Sequence, residues 1–468
     1  MDNYNLDTTL IGLASDSEKS GWTIRHACEG VGIFGGIGSG KTSGSGHMLA
    51  LKYLANGFGG LVLTAKKTEK EDWIEYCRLT GRENDLIILE EKGQHCFNFL
   101  EYEASQTSGE ASLTDNIVDV LKTVINAGQE QGGGRNDDPF WQSALDMLMA
   151  SIIDLCKLAY GHVTVMRLFD IVQTIPKSEE ALHLEVAKPK AFTQAFESAR
   201  GYVTSQIDSW ILTLSQKERE QLSVDDVFES EVLEAIPDAR LLKHLDQFFF
   251  DNFIPLSDKT RSIIDFSFSA FLAPLVREPV YSLFSRNHST FTPEDSLEGK
   301  IILINLPVKS YQKVGQNCQI LFKYVWQKSM EKRDVRTNGR PVFLWADEAQ
   351  TFLHEKDAEF QATARSSRVC TVYISQNLPN YYASMGGQRS EYRVKAFLGT
   401  LATKLFHANA DAETNKYASE LIGDAYFVDE NESMTVSQNF SQTRGRSLKL
   451  ERVVRPEGFV NLKTGGAS

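Results

Sequence analysis

The chain has 468 residues, 42% of them hydrophobic and 24% charged, with a formal net charge of -13. That composition is ordinary for globular protein and leaves room for two or three domains, while the acidic balance excludes a surface that is basic all over, though not a local basic channel. Six cysteines, at 28, 77, 96, 156, 318 and 370, include no C-x-x-C pair. This argues against structural zinc and a disulfide framework and points to a reducing cytoplasm.

In chain order, the first twenty residues carry Asp2, Asp7, Asp16 and Glu18 without a sustained apolar run, so neither a signal peptide nor a membrane anchor is expected there. Val31–Phe34 reads as a short buried strand. Gly35, Gly36, Ile37, Gly38, Ser39, Gly40, Lys41 and Thr42 follow it and fit the pattern G-x-x-x-x-G-K-[ST]. A helix is expected from Ser43 to Leu54, ending near Asn56–Gly57. Glycines at 35, 36, 38 and 40 would turn the backbone with positive φ, so that amide N–H groups through Ser43 cradle phosphates beside a helix N-terminus. Lys41 would reach the β and γ phosphates of a nucleoside triphosphate, and Thr42 would offer its hydroxyl to Mg2+.

Gly59–Thr64 and Asp85–Leu89 read as further buried parallel strands, separated by a helix over Lys70–Leu79 with Trp73, Ile74 and Cys77 on one side. From about Thr114 to Phe284 the pattern is helical, with segments over Asp115–Asn126, Pro139–Tyr160, Thr164–Thr174 (Thr164 as cap), Lys190–Leu214 and Thr260–Leu275, and a glycine loop at Gly132–Gly134. Ala144–Tyr160 is the nearest approach to a membrane span, but Asp146, Asp154 and Lys157 interrupt it, and it reads as a core helix. Strands return at Lys300–Pro307, Pro341–Glu348, Val369–Ser375 and Thr403–Ala408, with a long helix over Gln316–Lys332. The fold class is therefore α/β. A mainly parallel nucleotide-binding sheet in residues 1–110 and 286–468 is expected to be split by an all-α insertion over 111–285.

The strand that runs into Asp347–Glu348 brings two acids to the sheet edge where ligands bind. Asp347 would hold the magnesium ion, and Glu348 would orient or deprotonate the attacking water. Adjacent acids after a strand also occur as a solvated turn; a phosphate loop in the same chain favours the functional reading. Gln376 closes the next strand and would sense the γ phosphate, or else cap a turn. Arg365 and Arg368 lie between these strands, where either would project into a neighbouring subunit's site or form a surface ion pair. Basic clusters at Lys66–Lys67 and Arg444–Arg455 are candidate DNA contacts or solvated faces.

These residues carry a resemblance. The series Ile33–Thr42, Phe97–Leu100, Asp138–Trp141, Ala346–Ala349, Ile374–Gln376 and Thr403–Phe406 resembles the coupling-protein ATPases of conjugation and type IV secretion, the TraG/TraD group of the FtsK/HerA superfamily. The resemblance covers about residues 22 to 466. It implies a RecA-like P-loop domain in which Lys41 and Thr42 form Walker A, Asp347 and Glu348 form Walker B, Gln376 is the glutamine motif and Arg365 the arginine finger. It further implies a homo-oligomer forming a hexameric ring that uses ATP to move DNA or nucleoprotein, with a relaxase or secretion components as partners. Many members begin with transmembrane helices, which this sequence lacks, and the chain stops soon after Thr464–Gly466, earlier than the resemblance implies. A cytoplasmic location is thus expected, with membrane docking through a partner. A HerA-like translocase or helicase of repair or anti-element defence, and an ATP-dependent assembly switch or scaffold that recruits substrates, are the alternatives.

Overall fold

A computed structural model describes residues 4–12, 21–106, 110–130, 139–178, 181, 189–221, 225–385, 390–436 and 440–464. Gly132–Gly134, Asp138, Gly465 and Gly466 lie outside these. The chain divides into two compact units, one of Met1–Ile87, Glu294–Ser310 and Gln327–Ser468, the other of Ile88–Pro293 and Tyr311–Trp326.

The first unit is built on strands. Thr9–Gly12 (β1) and Gly21–Thr23 (β2) form a small antiparallel pair. The main strands are Val31–Phe34 (β3), Gly59–Leu63 (β4), Leu86–Leu89 (β5), Ile301–Ile304 (β6), Val342–Asp347 (β7), Val369–Ser375 (β8) and Thr403–Phe406 (β9). They form one seven-stranded sheet in the order β5-β6-β4-β7-β8-β3-β9, and the registers of β6–β4, β4–β7, β7–β8, β8–β3 and β3–β9 are all parallel. Every residue of β3, β4, β6, β7 and β8 is buried, whereas β5 and β9 are mostly half-exposed. Burial on both faces explains why the five inner strands read as nearly continuous apolar runs, and the outer two sit at the sheet's edges.

Helix Glu69–Leu79 buries Glu69, Trp73 and Cys77, which recur every four residues and so share one face. Ile74 is turned outward, 39% exposed, because one residue advances the helix by about 100°; it does not join that face as expected. Trp73 stacks on Phe343 of β7 at 5.5 Å between ring centres and meets Trp345 edge-on at 5.4 Å. This packing fixes the helix start, and with it Glu69, beside the ends of β4 and β7. The helix expected over Gln316–Lys332 spans Val308–Lys332 with a non-helical break at Gln312.

Beyond β9, helix Ala412–Ile422 leads into Asp424–Val436 (β10) and Phe440–Arg452 (β11), an antiparallel ribbon. Tyr426 pairs with Leu450 and Val428 with Leu448, so these four apolar side chains share one face, and all are exposed. The cluster expected at Arg444–Arg455 falls largely in β11; Lys449 and Arg455 both pair with Glu451 at 2.9 Å, and Arg452 pairs with Asp424 at 3.2 Å.

In the second unit the regular elements from Phe99 onward are, among the described residues, helices. Thr164 caps helix Val165–Gln173 by accepting from the Arg167 N–H, and Ser257 caps Asp258–Leu275. In helix Pro139–Tyr160, Leu148, Ile152, Ile153 and Cys156 are buried, Asp146 pairs with Lys122, and Asp154 accepts from Thr114. Phe192, Phe196 and Phe249 form an aromatic core with ring centres 4.9 to 5.7 Å apart. Among the described residues no single helix is long and apolar enough to cross a membrane; Ser143–Tyr160 and Val165–Gln173 pass only as a pair bent by 113°.

Candidate nucleotide site

The loop after β3 is held at the C-terminal edge of the sheet by bonds to two neighbouring segments. Gly35 N–H donates to the Ser375 carbonyl (3.3 Å) at the end of β8, and Gly36 N–H to the Ala408 carbonyl (2.8 Å) beyond β9. Of its four glycines, only Gly38 (φ 70°) and Gly40 (φ 83°) take positive φ, so that part of the expectation is corrected. Gly35 is needed for space instead: a Cβ there would stand 2.4 Å from Ser39 Oγ and 2.7 Å from His407 Cβ. The backbone then winds wide, as a π-helix, over Lys41–Gly46 before the regular helix His47–Ala55, close to the span expected for one continuous helix. Lys41 is buried and Ile37 is 88% exposed.

His407, which motif reading passed over, braces this loop. Its Nδ1 lies 3.1 Å from the Ser39 carbonyl and its Nε2 2.8 Å from Ser45 Oγ. A carbonyl can only accept, so Nδ1 carries the proton and Nε2 accepts from the hydroxyl. Burial lowers the imidazole pKa, and Lys41 lowers it further against the opposing pull of the Ser39 carbonyl, which keeps the ring neutral. The signal available was positional: a histidine directly after an edge strand that flanks the phosphate-loop strand.

β7 delivers the acids. Thr42 Oγ1 donates to Asp347 Oδ2 at 3.1 Å, and Asp347 Oδ1 accepts from the Glu348 N–H at 2.9 Å. Glu348 takes a left-handed backbone (φ 52°, ψ 46°), a conformation that costs a non-glycine residue about 1 kcal/mol. This turn sends its side chain toward β8, where Oε1 accepts from Gln376 Nε2 (3.3 Å) and Oε2 from Gln350 Nε2 (3.0 Å). Gln350 is itself fixed by Ser375 Oγ (2.8 Å), and Asn409 holds the Gln376 carbonyl (2.8 Å). Burial opposes ionisation of Glu348, but Gln350, Lys66, Gln376 and Lys41 together hold its carboxyl below the ordinary range.

Two further residues face these acids from the end of β4. Lys66 Nζ lies 3.5 Å from Asp347 Oδ2 and 3.4 Å from Glu348 Oε1, so it points into the acid pair rather than forming an outward basic patch with Lys67. Glu69 Oε2 accepts from the Ala65 N–H (2.7 Å), while its buried Oε1 has no hydrogen-bond partner. Burial first, and the Asp347 charge second, push the Glu69 carboxyl up to about 8.

Thr42, Asp347, Glu348 and Gln376 are thus brought together. Arg365 is not among them. It precedes β8 and pairs with Glu29, which precedes the adjacent β3, at 3.1 Å, placing it at the N-terminal edge of the sheet. Arg368 (φ 50°) donates to the carbonyls of Tyr4 (3.2 Å) and Gly339 (2.6 Å), which ties it to its own chain. Among the described residues no cluster of three or more His, Cys, Asp or Glu side chains could hold a metal ion. A pair of hard oxygen donors, Thr42 Oγ1 and Asp347 Oδ2, fits magnesium, which keeps most of its waters and takes phosphate oxygens for the remainder.

A phosphate loop, a strand ending in two acids and an intervening strand ending in glutamine now stand in one sheet. The family model described as "Type IV secretory system Conjugative DNA transfer" matches residues 6–465. The chain belongs to this family. Its fold is that of the conjugative coupling protein TrwB. The unbound TrwB structure lacking its first 70 residues superposes with a TM-score of 0.58 at 14% identity, covering 94% of this chain and 81% of that one. TrwB in complex with ADP and Mg2+ gives 0.59 at 13% identity, covering 98% and 85%, and its complex with the non-hydrolysable analogue ADPNP gives 0.56 at 14%, covering 94% and 82%. No curated protein sequence matches this conjugative-transfer chain significantly.

Proposed function

We propose that this conjugative-transfer family member is an ATP hydrolase whose turnover moves DNA or nucleoprotein, working as a homo-oligomeric, hexameric ring. The observation that carries the reading is the unbroken series of contacts Thr42–Asp347–Glu348–Gln376 beside the phosphate loop. Backbone N–H groups from Gly35 to Ser43 bind the phosphates, and the Lys41 ammonium neutralises the β and γ oxygens. Thr42 and Asp347 would hold magnesium, which supplies positive charge at the phosphate oxygens when bound. Glu348 takes the proton from the attacking water as its oxygen bonds to the γ phosphorus, and the bond to ADP breaks. Gln376, hydrogen-bonded to Glu348, orients that water and reports the γ phosphate. Arg365, at the far edge of its own sheet, reaches a transferring phosphate only in a neighbouring subunit.

Bound TrwB structures support nucleotide and Mg2+ as ligands of this site by likeness of fold. The family description favours conjugative DNA transfer over repair or defence. Location at the cytoplasmic side of a membrane, docked through relaxase or secretion components, follows from the same reading. The test is the ATPase rate with and without single- and double-stranded DNA, on protein whose mass in solution is recorded. Stimulation by DNA in the assembled fraction is expected. Tight ATP binding with turnover indifferent to DNA would instead support an assembly switch or recruiting scaffold.

A further inference from the structure

Thr42 holds Asp347, and three further side chains grip the acid pair, of which only one brings a full charge. Gln350 from the turn and Gln376 from the end of β8 offer amides to Glu348. Lys66, from the loop after β4, places its ammonium within ion-pair distance of both Asp347 and Glu348. Two adjacent carboxylates repel each other, which pushes their side chains apart. A cation shared between them offsets that repulsion, and an ammonium with three donors can face both at once.

The loop that carries Lys66 is fixed on both sides of its neighbour. Ala65 N–H donates to the buried Glu69 carboxyl, and the Ala65 carbonyl accepts from the Lys309 N–H at 3.1 Å. Thr64 Oγ1 donates to the Ile304 carbonyl at 2.7 Å, anchoring the loop to β6 as well. Lys66 therefore rises from a pinned backbone. The side chain is 33% exposed, against 3% for Asp347 and 12% for Glu348, so its head group closes the solvent side of the acid pair.

We propose that Lys66 is a positioning residue for hydrolysis, holding the Asp347 and Glu348 side chains together with the Glu348 carboxylate aimed at the attacking water. This rests on the ATPase reading above. Lys66 takes no part in bond making; it acts through Glu348, whose carboxylate it grips beside Gln350 and Gln376. The mechanism separates its effect from nucleotide affinity, because binding is carried by the phosphate loop on the other side of β8.

The test compares Lys66→Met and Lys66→Arg with the wild type in DNA-stimulated turnover, in affinity for a non-hydrolysable ATP analogue and in melting temperature. Lys66→Met is expected to lower kcat at least tenfold while analogue affinity changes less than threefold, and Lys66→Arg to recover most of the loss, since a guanidinium reaches both carboxylates. The proposal is overturned if Lys66→Met keeps kcat within twofold of the wild type. It is also overturned if affinity falls as far as kcat, or if Lys66→Arg is as impaired as Lys66→Met at an unchanged melting temperature. An inert wild type would overturn the ATPase reading itself and the role of Lys66 with it, whereas an active wild type beside an equally active Lys66→Met removes Lys66 alone.

Discussion

Arg365 and Glu29 form an ion pair between the segments that lead into two adjacent parallel strands, at the sheet edge opposite the phosphate loop. The Arg365 side chain is 60% exposed. For it to meet a phosphate in a neighbour the pair with Glu29 must open, an opening that solvent exposure makes inexpensive. Arg365→Ala is therefore expected to bind ATP like the wild type and hydrolyse it at least a hundredfold more slowly when assembled. Mixing it with Lys41→Ala should recover part of the turnover, because some interfaces then join an intact loop to an intact arginine. Wild-type rates for Arg365→Ala in both monomeric and assembled fractions would remove Arg365 from this role.

Lys41→Ala and Glu348→Gln should part the two halves of the reaction. Loss of the Lys41 ammonium removes a charge-assisted contact to the phosphates, so both affinity and turnover fall. Glu348→Gln keeps the cradle and loses the proton acceptor; its ATP affinity should stay within a few-fold while turnover falls by about 100- to 10,000-fold. Fluorescent-nucleotide binding beside a phosphate-release assay measures both. A Glu348→Gln protein that turns over normally would contradict the role assigned to the carboxylate.

His407 makes the phosphate loop one piece with the end of β9. Removing the imidazole frees the Ser39 carbonyl and the Ser45 hydroxyl together, each hydrogen bond contributing about 1 kcal/mol. His407→Ala should weaken nucleotide affinity by roughly tenfold, with a smaller effect on melting temperature. Because burial already keeps the ring neutral, affinity of the wild type should show no inflection from this group between pH 6.5 and 8. Such an inflection, abolished by His407→Ala, would show that the ring titrates in that range.

Glu69 gives stability a pH dependence of definite sign. Its folded pKa, about 8, lies above the value of an unfolded glutamate, so in that interval the native chain holds a proton the unfolded chain has lost. The contribution is full below the unfolded pKa and disappears as pH rises through the folded one. In metal-free, nucleotide-free buffer the melting temperature should decline from pH 5 to pH 8, and Glu69→Gln, neutral throughout, should flatten that decline. Parallel curves for the two proteins would mean that Glu69 is ionised in the fold.

The parts legible in the sequence were those whose chemistry is contiguous. Gly35–Thr42 is an unbroken pattern in the sequence, and Asp347–Glu348 ends an apolar run, so both could be found without a partner in view. Lys66 could not, since its meaning depends on β4 lying beside β7, and adjacent lysines otherwise read as a solvated patch. His407 was hidden similarly: it matters only because β9 pairs with β3. The β10–β11 ribbon escaped because in β11 apolar residues alternate with charges, as in Leu448, Lys449, Leu450 and Glu451, so that the segment resembles a charge run. Ile74 shows the finer limit, where adjacency to buried Trp73 suggested a shared face that helical geometry denies.

The order of strands has a consequence in time. β3 is made early, yet both strands that flank it, β8 and β9, begin more than 300 residues later, at Val369 and Thr403. A ribosome adding about 5 to 20 residues per second needs tens of seconds to cover that distance. During this interval the loop lacks the carbonyls of Ser375 and Ala408 that hold its first turns, as well as the histidine that braces it. A nascent chain halted before β8 would thus carry every residue of the phosphate-binding motif and still be unable to retain ATP. The ability to bind the nucleotide would be acquired late in synthesis, once the strands on both sides of β3 have docked.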